Sequence, residues 1–181
     1  IEGGAAGDAA TDNAVVFTVS QDKVSNFDTT VTAKLDLNEV ELADITSIQY
    51  TDAAGTTVTL TAAEVADLTG ATGYTVTIPA GSATTVAPVF TITAVDDAIY
   101  ERSEAFGMNI SAPTNATLGT ASDTAVIDDE PDTSTPPVDK EGDAPVVSIT
   151  ATDAVAIEGG AAGDAATDNA VVFTVSQDKV S

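Results

Sequence analysis

Residues 1–25 recur without a single change as residues 157–181. The copy of Ile1 is Ile157, so the period is 156 residues. This identity constrains the fold more than any other feature, because whatever the chain forms must tile in tandem at the length of one small domain. Solenoid repeats run roughly 20–50 residues. The longer period instead predicts discrete beads on a string, with this chain holding one period and the opening of the next.

Within the period, apolar and polar side chains alternate in short runs, the mark of half-buried strands. In Ala14–Ser20 the apolar face is Val15, Phe17 and Val19, and in Thr29–Asp36 it is Val31, Ala33 and Leu35. Further strands are predicted over 45–51, 56–61, 74–78, 89–95, 105–110 and 121–127, with 45–51 and 56–61 forming a hairpin around Asp52 to Gly55. The acidic stretch Leu37 to Asp44 is ambiguous. One helix is predicted, Ala62–Leu68, because Thr61-Ala62-Ala63-Glu64 fits a capping box and Gly70 offers a stop. Together these predict an all-β fold, an antiparallel β-sandwich with one short helix.

The expected domains are a sandwich at 1–130, an interdomain linker at 131–144 rich in Pro, Asp and Thr, and the first strands of the next repeat at 145–181. Pro136-Pro137 makes part of the linker semi-rigid. Pro145–Thr152 reads as a strand leading to Glu158-Gly159-Gly160, the copy of Glu2-Gly3-Gly4. The natural repeat is therefore expected to begin near Pro145. The piece at 1–130, which opens mid-pattern at Ile1, is expected to lack its own first strand. An edge without its partner invites strand addition, and 146–155 is expected to fill the place, in its own chain or a neighbour's. The linker spans at most roughly 46–50 Å, and exchange between molecules is the expected route.

Formal charge is -24, from 29 Asp+Glu against 5 Lys+Arg. That disfavours nucleic acid and anionic membrane as partners. No apolar run approaches the roughly 18 residues of a membrane span. The chain has no Cys and no His, which removes thiol catalysis, thiolate metal sites and every His-dependent triad. The acids are gathered. Asp96-Asp97-Ala98-Ile99-Tyr100-Glu101-Arg102-Ser103-Glu104 lies between two predicted strands, and Asp128-Asp129-Glu130 closes the domain. Crowded carboxylates resist ionising together. A hard cation that takes six to eight oxygens, calcium above all, is their natural counterpart. There is no contiguous EF-hand loop, so any site must be assembled from distant segments.

Other chemistries fit less well. A glycosidase pair needs one acid kept protonated in apolar surroundings, whereas these acids are crowded in loops with only Tyr100 nearby. The Thr-rich strands 56–61 and 74–77 suit the solvent face of a sandwich better than an ice-binding array. Gly3, Gly4 and Gly7 suit turns, since no helix with a Lys follows to complete a phosphate cradle. The chain is expected not to be an enzyme.

The spacing Asp-Asp-x-x-x-Glu-x-x-Glu at Asp96, Asp97, Glu101 and Glu104 resembles the Calx-beta motif. So do Glu2-Gly3 and its copy Glu158-Gly159, the closing Ile127-Asp128-Asp129-Glu130, and Ile78-Pro79-Ala80-Gly81. The identical repeat with its 37–72 insertion is most similar to the extender modules of giant RTX-type bacterial biofilm adhesins. The resemblance implies a Greek-key, immunoglobulin-like antiparallel β-sandwich of about seven strands plus one short helix, Ca2+ bound at its C-terminal pole, and domains stacked end to end. It implies Glu2, Asp96, Asp97, Glu101, Glu104, Asp128 and Asp129 as ligands, with Glu158 in the copy. Glu130 stands where the family has a third Asp. The family's middle-loop acid has no clear counterpart, and Asp52 is the nearest candidate. The expected function is a calcium-stabilised extracellular spacer on the bacterial cell surface, with adjacent identical repeats as its partners through calcium-bridged linkers. The linker acids Asp132, Asp139, Glu141 and Asp143 are candidates for an interdomain ion. The competing expectations are a surface module that itself binds glycan, ice or a host protein, and a calcium-sensing regulatory module.

Overall fold

The computed structural model describes residues 13–97, 99, 101–128, 144–159 and 169–178. The chain forms two compact units, which among the described residues hold eight strands in the larger and two in the smaller. The larger unit holds β1 (Ala14–Thr18), β2 (Thr29–Asp36), β3 (Ile45–Thr51), β4 (Thr57–Thr59), helix α1 (Ala62–Thr69), β5 (Tyr74–Ile78), β6 (Val89–Ala94), β7 (Glu104–Thr114) and β8 (Ser122–Ile127). They pair antiparallel into two four-stranded sheets, ordered β1-β6-β3-β4 and β5-β2-β7-β8. The chain changes sheet at most connections, and only β3–β4 and β7–β8 are hairpins within one sheet. This is the antiparallel sandwich that the alternation predicts, with eight strands among the described residues where the resemblance implies about seven.

The core lies between the sheets and is drawn from one face of each strand. In β2 every second residue is buried, which puts Val31, Ala33 and Leu35 inside as their period requires. Phe17 of β1 meets Phe106 of β7 edge to face, with ring centroids 5.9 Å apart, so the two sheets are joined through an aromatic pair. Tyr50, Tyr74 and Phe90 form a second cluster, with centroids 5.1 to 5.7 Å apart. Helix α1 covers part of β2 and β5 and buries Leu68 completely.

The helix starts where its capping box lies. The Thr61 N–H donates to the Glu64 carboxylate at 2.8 Å, and the Glu64 N–H donates back to the Thr61 hydroxyl at 3.4 Å. This ends β4 early. The expected strand 56–61 shrinks to three exposed residues because the Thr61 backbone is committed to the helix. The ambiguous acidic stretch forms a turn and a short 3₁₀ helix, Leu42–Asp44. β7 begins at Glu104, one residue earlier than expected, and runs on to Thr114.

The smaller unit contains β9 (Val147–Asp153) and β10 (Val172–Gln177), paired antiparallel with every residue exposed except the half-buried Asp153. A two-stranded hairpin is marginally stable on its own.

Candidate metal centre

The acidic loop sits where it does because β6 and β7 belong to different sheets. β6 ends at Ala94 in one sheet, and β7 starts at Glu104 in the other. The connection therefore crosses the end of the core. Two other segments reach the same pole. Ile45 of β3 pairs with Ala94, and the Asp44 carbonyl accepts a hydrogen bond from the Val95 N–H at 2.8 Å. Ile127 of β8 pairs with Glu104, so Asp128 leaves the sandwich there. On the far side of β6, the Asn13 carbonyl accepts from the Ala94 N–H at 2.9 Å.

One carboxylate oxygen from each of Asp44, Glu101 and Glu104 lies within 4.8 Å of the others. Asp44 is buried, at 5% exposure, and the two glutamates are half-buried. The placement of Asp44 is local in origin. Its Oδ2 accepts the Glu41 N–H at 2.6 Å across the 3₁₀ turn, and that bond fixes the side chain. A carboxylate has about four lone-pair sites, so capacity to bind a cation remains. Glu39 braces the opposite side, accepting the Ala105 N–H at 3.1 Å. Near this pole the Oδ1 of Asn13 is buried with no hydrogen-bond partner among the described residues. An orphaned buried carbonyl oxygen is costly unless something polar meets it.

Of the residues predicted from sequence, the structure brings Glu101 and Glu104 together. Asp96 and Asp97 lie exposed at the start of the same loop, and Asp128 lies exposed after β8. Glu158 is exposed in the smaller unit. Glu2, Asp129 and Glu130, and the linker acids Asp132, Asp139, Glu141 and Asp143, fall outside the described residues. Asp52 follows the far end of β3, whose 7 residues separate it from Asp44. There its Oδ1 accepts the N–H groups of Ala54 and Thr56 at 2.8 and 2.9 Å and holds the β3–β4 turn. The third carboxylate is Asp44, which sequence reasoning missed. Its one signal was position: an acid directly ahead of a predicted strand.

No family profile matches this sequence, and no curated protein matches it. Two solved structures are similar in part. The crystal structure of CBD12 from CALX1.2 matches 65% of this chain at 15% identity with a TM-score of 0.42, and this chain spans only 38% of its length. The crystal structure of the calcium binding domain CBD12 of CALX1.1 matches 93% of this chain at 14% identity with a TM-score of 0.43, over 67% of that protein's chain. The class that the sheets and the pole define is an all-β sandwich with converging carboxylates at one end.

Proposed function

We propose that this chain is a calcium-stabilised structural spacer, an extender module of a large adhesin on a bacterial surface. The observation that carries the reading is the convergence of Asp44, Glu101 and Glu104 where loops from both sheets meet. The donor set fits the ion. Every side-chain ligand available is an oxygen, since the chain has neither His nor Cys, and calcium takes six to eight oxygens. Asp44, Glu101 and Glu104 would hold the ion, with the Oδ1 of Asn13 as a neutral donor near the same pole. Bound calcium supplies the positive charge that crowded carboxylates otherwise lack. Asp44 ties β3 to that point, Glu104 ties β7, and Glu101 ties the crossing loop, so the pole is pinned from three segments.

The spacer role rests on the repeat. Length is the property that identical copies multiply, and 25 unchanged residues at a period of 156 mark such copies. A surface adhesin places the module outside the cell, where weak calcium sites of about 10⁻⁴–10⁻³ M are useful. The test is thermal melting of the chain in calcium and in chelator, alongside the Asp44→Asn/Glu104→Gln variant. Calcium is expected to raise the melting temperature of the parent chain and leave the variant unmoved. At 100 times the dissociation constant one site contributes about 2.7 kcal/mol. A parent melting point indifferent to calcium overturns the reading.

A further inference from the structure

One of the two sheets is built without charge. The chain carries 29 Asp+Glu and 5 Lys+Arg, yet β1, β3, β4 and β6 include none of them. The other sheet has Lys34 and Asp36 on β2, Glu104 on β7 and Asp123 on β8. An ordinary exposed surface is about 25–35% charged. The pattern carries into the next repeat, where β9 and β10 hold no charge except the terminal Asp153.

Phe17, Ile48, Tyr50, Phe90 and Ile92 are buried in the core, so the residues between them face outward. Register sets these in rows across the sheet. Val16 pairs with Thr91, Thr91 with Gln49, and Gln49 with Thr59, which makes the middle row. A row through Thr51 and Thr57 lies on one side of it and a row through Thr93 and Ser47 on the other. The Thr51 and Thr57 hydroxyls bond each other at 2.9 Å. That bond meets part of the polar demand within the face and leaves γ-methyl groups free for dry contact. Val16 adds an apolar side chain that is 55% exposed. Without charge or aromatic ring, the face offers nothing to an ionic partner or to one that binds by stacking.

We infer that this face packs against the same face of a second copy of the chain, with the two sets of strands antiparallel about a two-fold axis along the middle row. Charge decides both the surface and the orientation. Copies that each carry -24 repel one another, and on this sheet two can meet without opposing like charges. Turning one copy end for end also sets the acidic poles apart. β3 spans 7 residues at about 3.4 Å each, so the poles stand well beyond the Debye length of about 8 Å. A parallel pair sets the two acid clusters side by side. The patch is small. Four strands about 4.8 Å apart and 5 residues deep give roughly 300 Å², against about 800 Å² per partner in a stable complex. One contact is therefore weak, and tandem copies at a period of 156 residues multiply it. On the spacer reading, modules projecting from two facing surfaces meet antiparallel, so the face suits contact between surfaces. The inference is independent of whether the pole holds a cation.

The chain has no cysteine, so single engineered thiols report the contact. Full-length Thr91→Cys, Thr51→Cys and Thr75→Cys chains are each oxidised at physiological salt, and the disulfide dimers are measured. Thr91 lies on the axis and faces its own copy. Thr51 shares the face but lies one row off the axis, so its copies stand roughly 13–14 Å apart along the strands. A disulfide needs Cα atoms within about 7 Å. Thr75 is exposed on β5 of the other sheet and sets the collision background. Thr91→Cys is expected to give several-fold more dimer than either control. Gln49→Glu is isosteric and puts a carboxylate opposite its own copy. Added to Thr91→Cys, it is expected to cut the dimer to background with the melting temperature unchanged. Equal yields from Thr91→Cys and Thr75→Cys overturn the inference. So does a Thr51→Cys yield that matches Thr91→Cys, or a Gln49→Glu/Thr91→Cys chain that links as well as Thr91→Cys alone.

Discussion

Thr61 and Glu64 hold each other across the first turn of the helix, and their removal is expected to have separable effects. Thr61→Ala removes the side chain that accepts the Glu64 N–H and should lower stability by about 1 kcal/mol, read from the urea midpoint. The Glu64 carboxyl is held below its ordinary value, first by the Thr61 N–H and then by the Thr61 hydroxyl. Its folded-state pKa is depressed, so its contribution is present above the unfolded carboxyl value and fades as pH falls through the folded one. Glu64→Gln should therefore flatten the acid side of the stability–pH curve, with parent and variant converging at the lowest pH. A parallel drop at every pH would rule this out. The capping pair was legible because it is local, four residues read in a row. Glu101 and Glu104 were legible as acids for the same reason. Asp44 was not, because its role depends on β3 pairing with β6 so that Ile45 meets Ala94, which no spacing within the loop discloses. Asp52 was the nearest acid in the sequence pattern, and its own backbone turn accounts for it.

The strands show where alternation carries information and where it stops. β2, β3 and β5 take the bounds that period-two patterning predicts. β7 outruns its apolar pattern because β2 supplies partners for it as far as Thr114, although its last four residues are exposed. Pairing, not burial, extends it. The fully buried Phe106 joins β7 to β1 through Phe17. Phe106→Ala should cost about 3–5 kcal/mol, a large part of a domain stability of about 5–15 kcal/mol. Chemical denaturation measures it. Loss of under about 1 kcal/mol would mean that the sheets are not joined through this pair.

At the scale of the molecule, the charge of -24 acts on every state of the chain. Self-repulsion disfavours compact states, and salt shortens the Debye length from about 10 Å at 0.1 M to about 3 Å at 1 M. In chelator, raising sodium chloride over that range should raise the melting temperature of the parent chain. A flat response would show that the charges are too far apart to repel. The all-β class was legible from composition and period together. The sheet order was not, since long-range pairing sets it. The sameness of β1 and β10 along their shared residues also bears on recovery from mechanical stretching. A tethered row of such modules, pulled out and released, would offer each returning strand several indistinguishable docking sites on neighbouring beads. Some strands would seat on the wrong neighbour and store a tangle that only a second pull could clear.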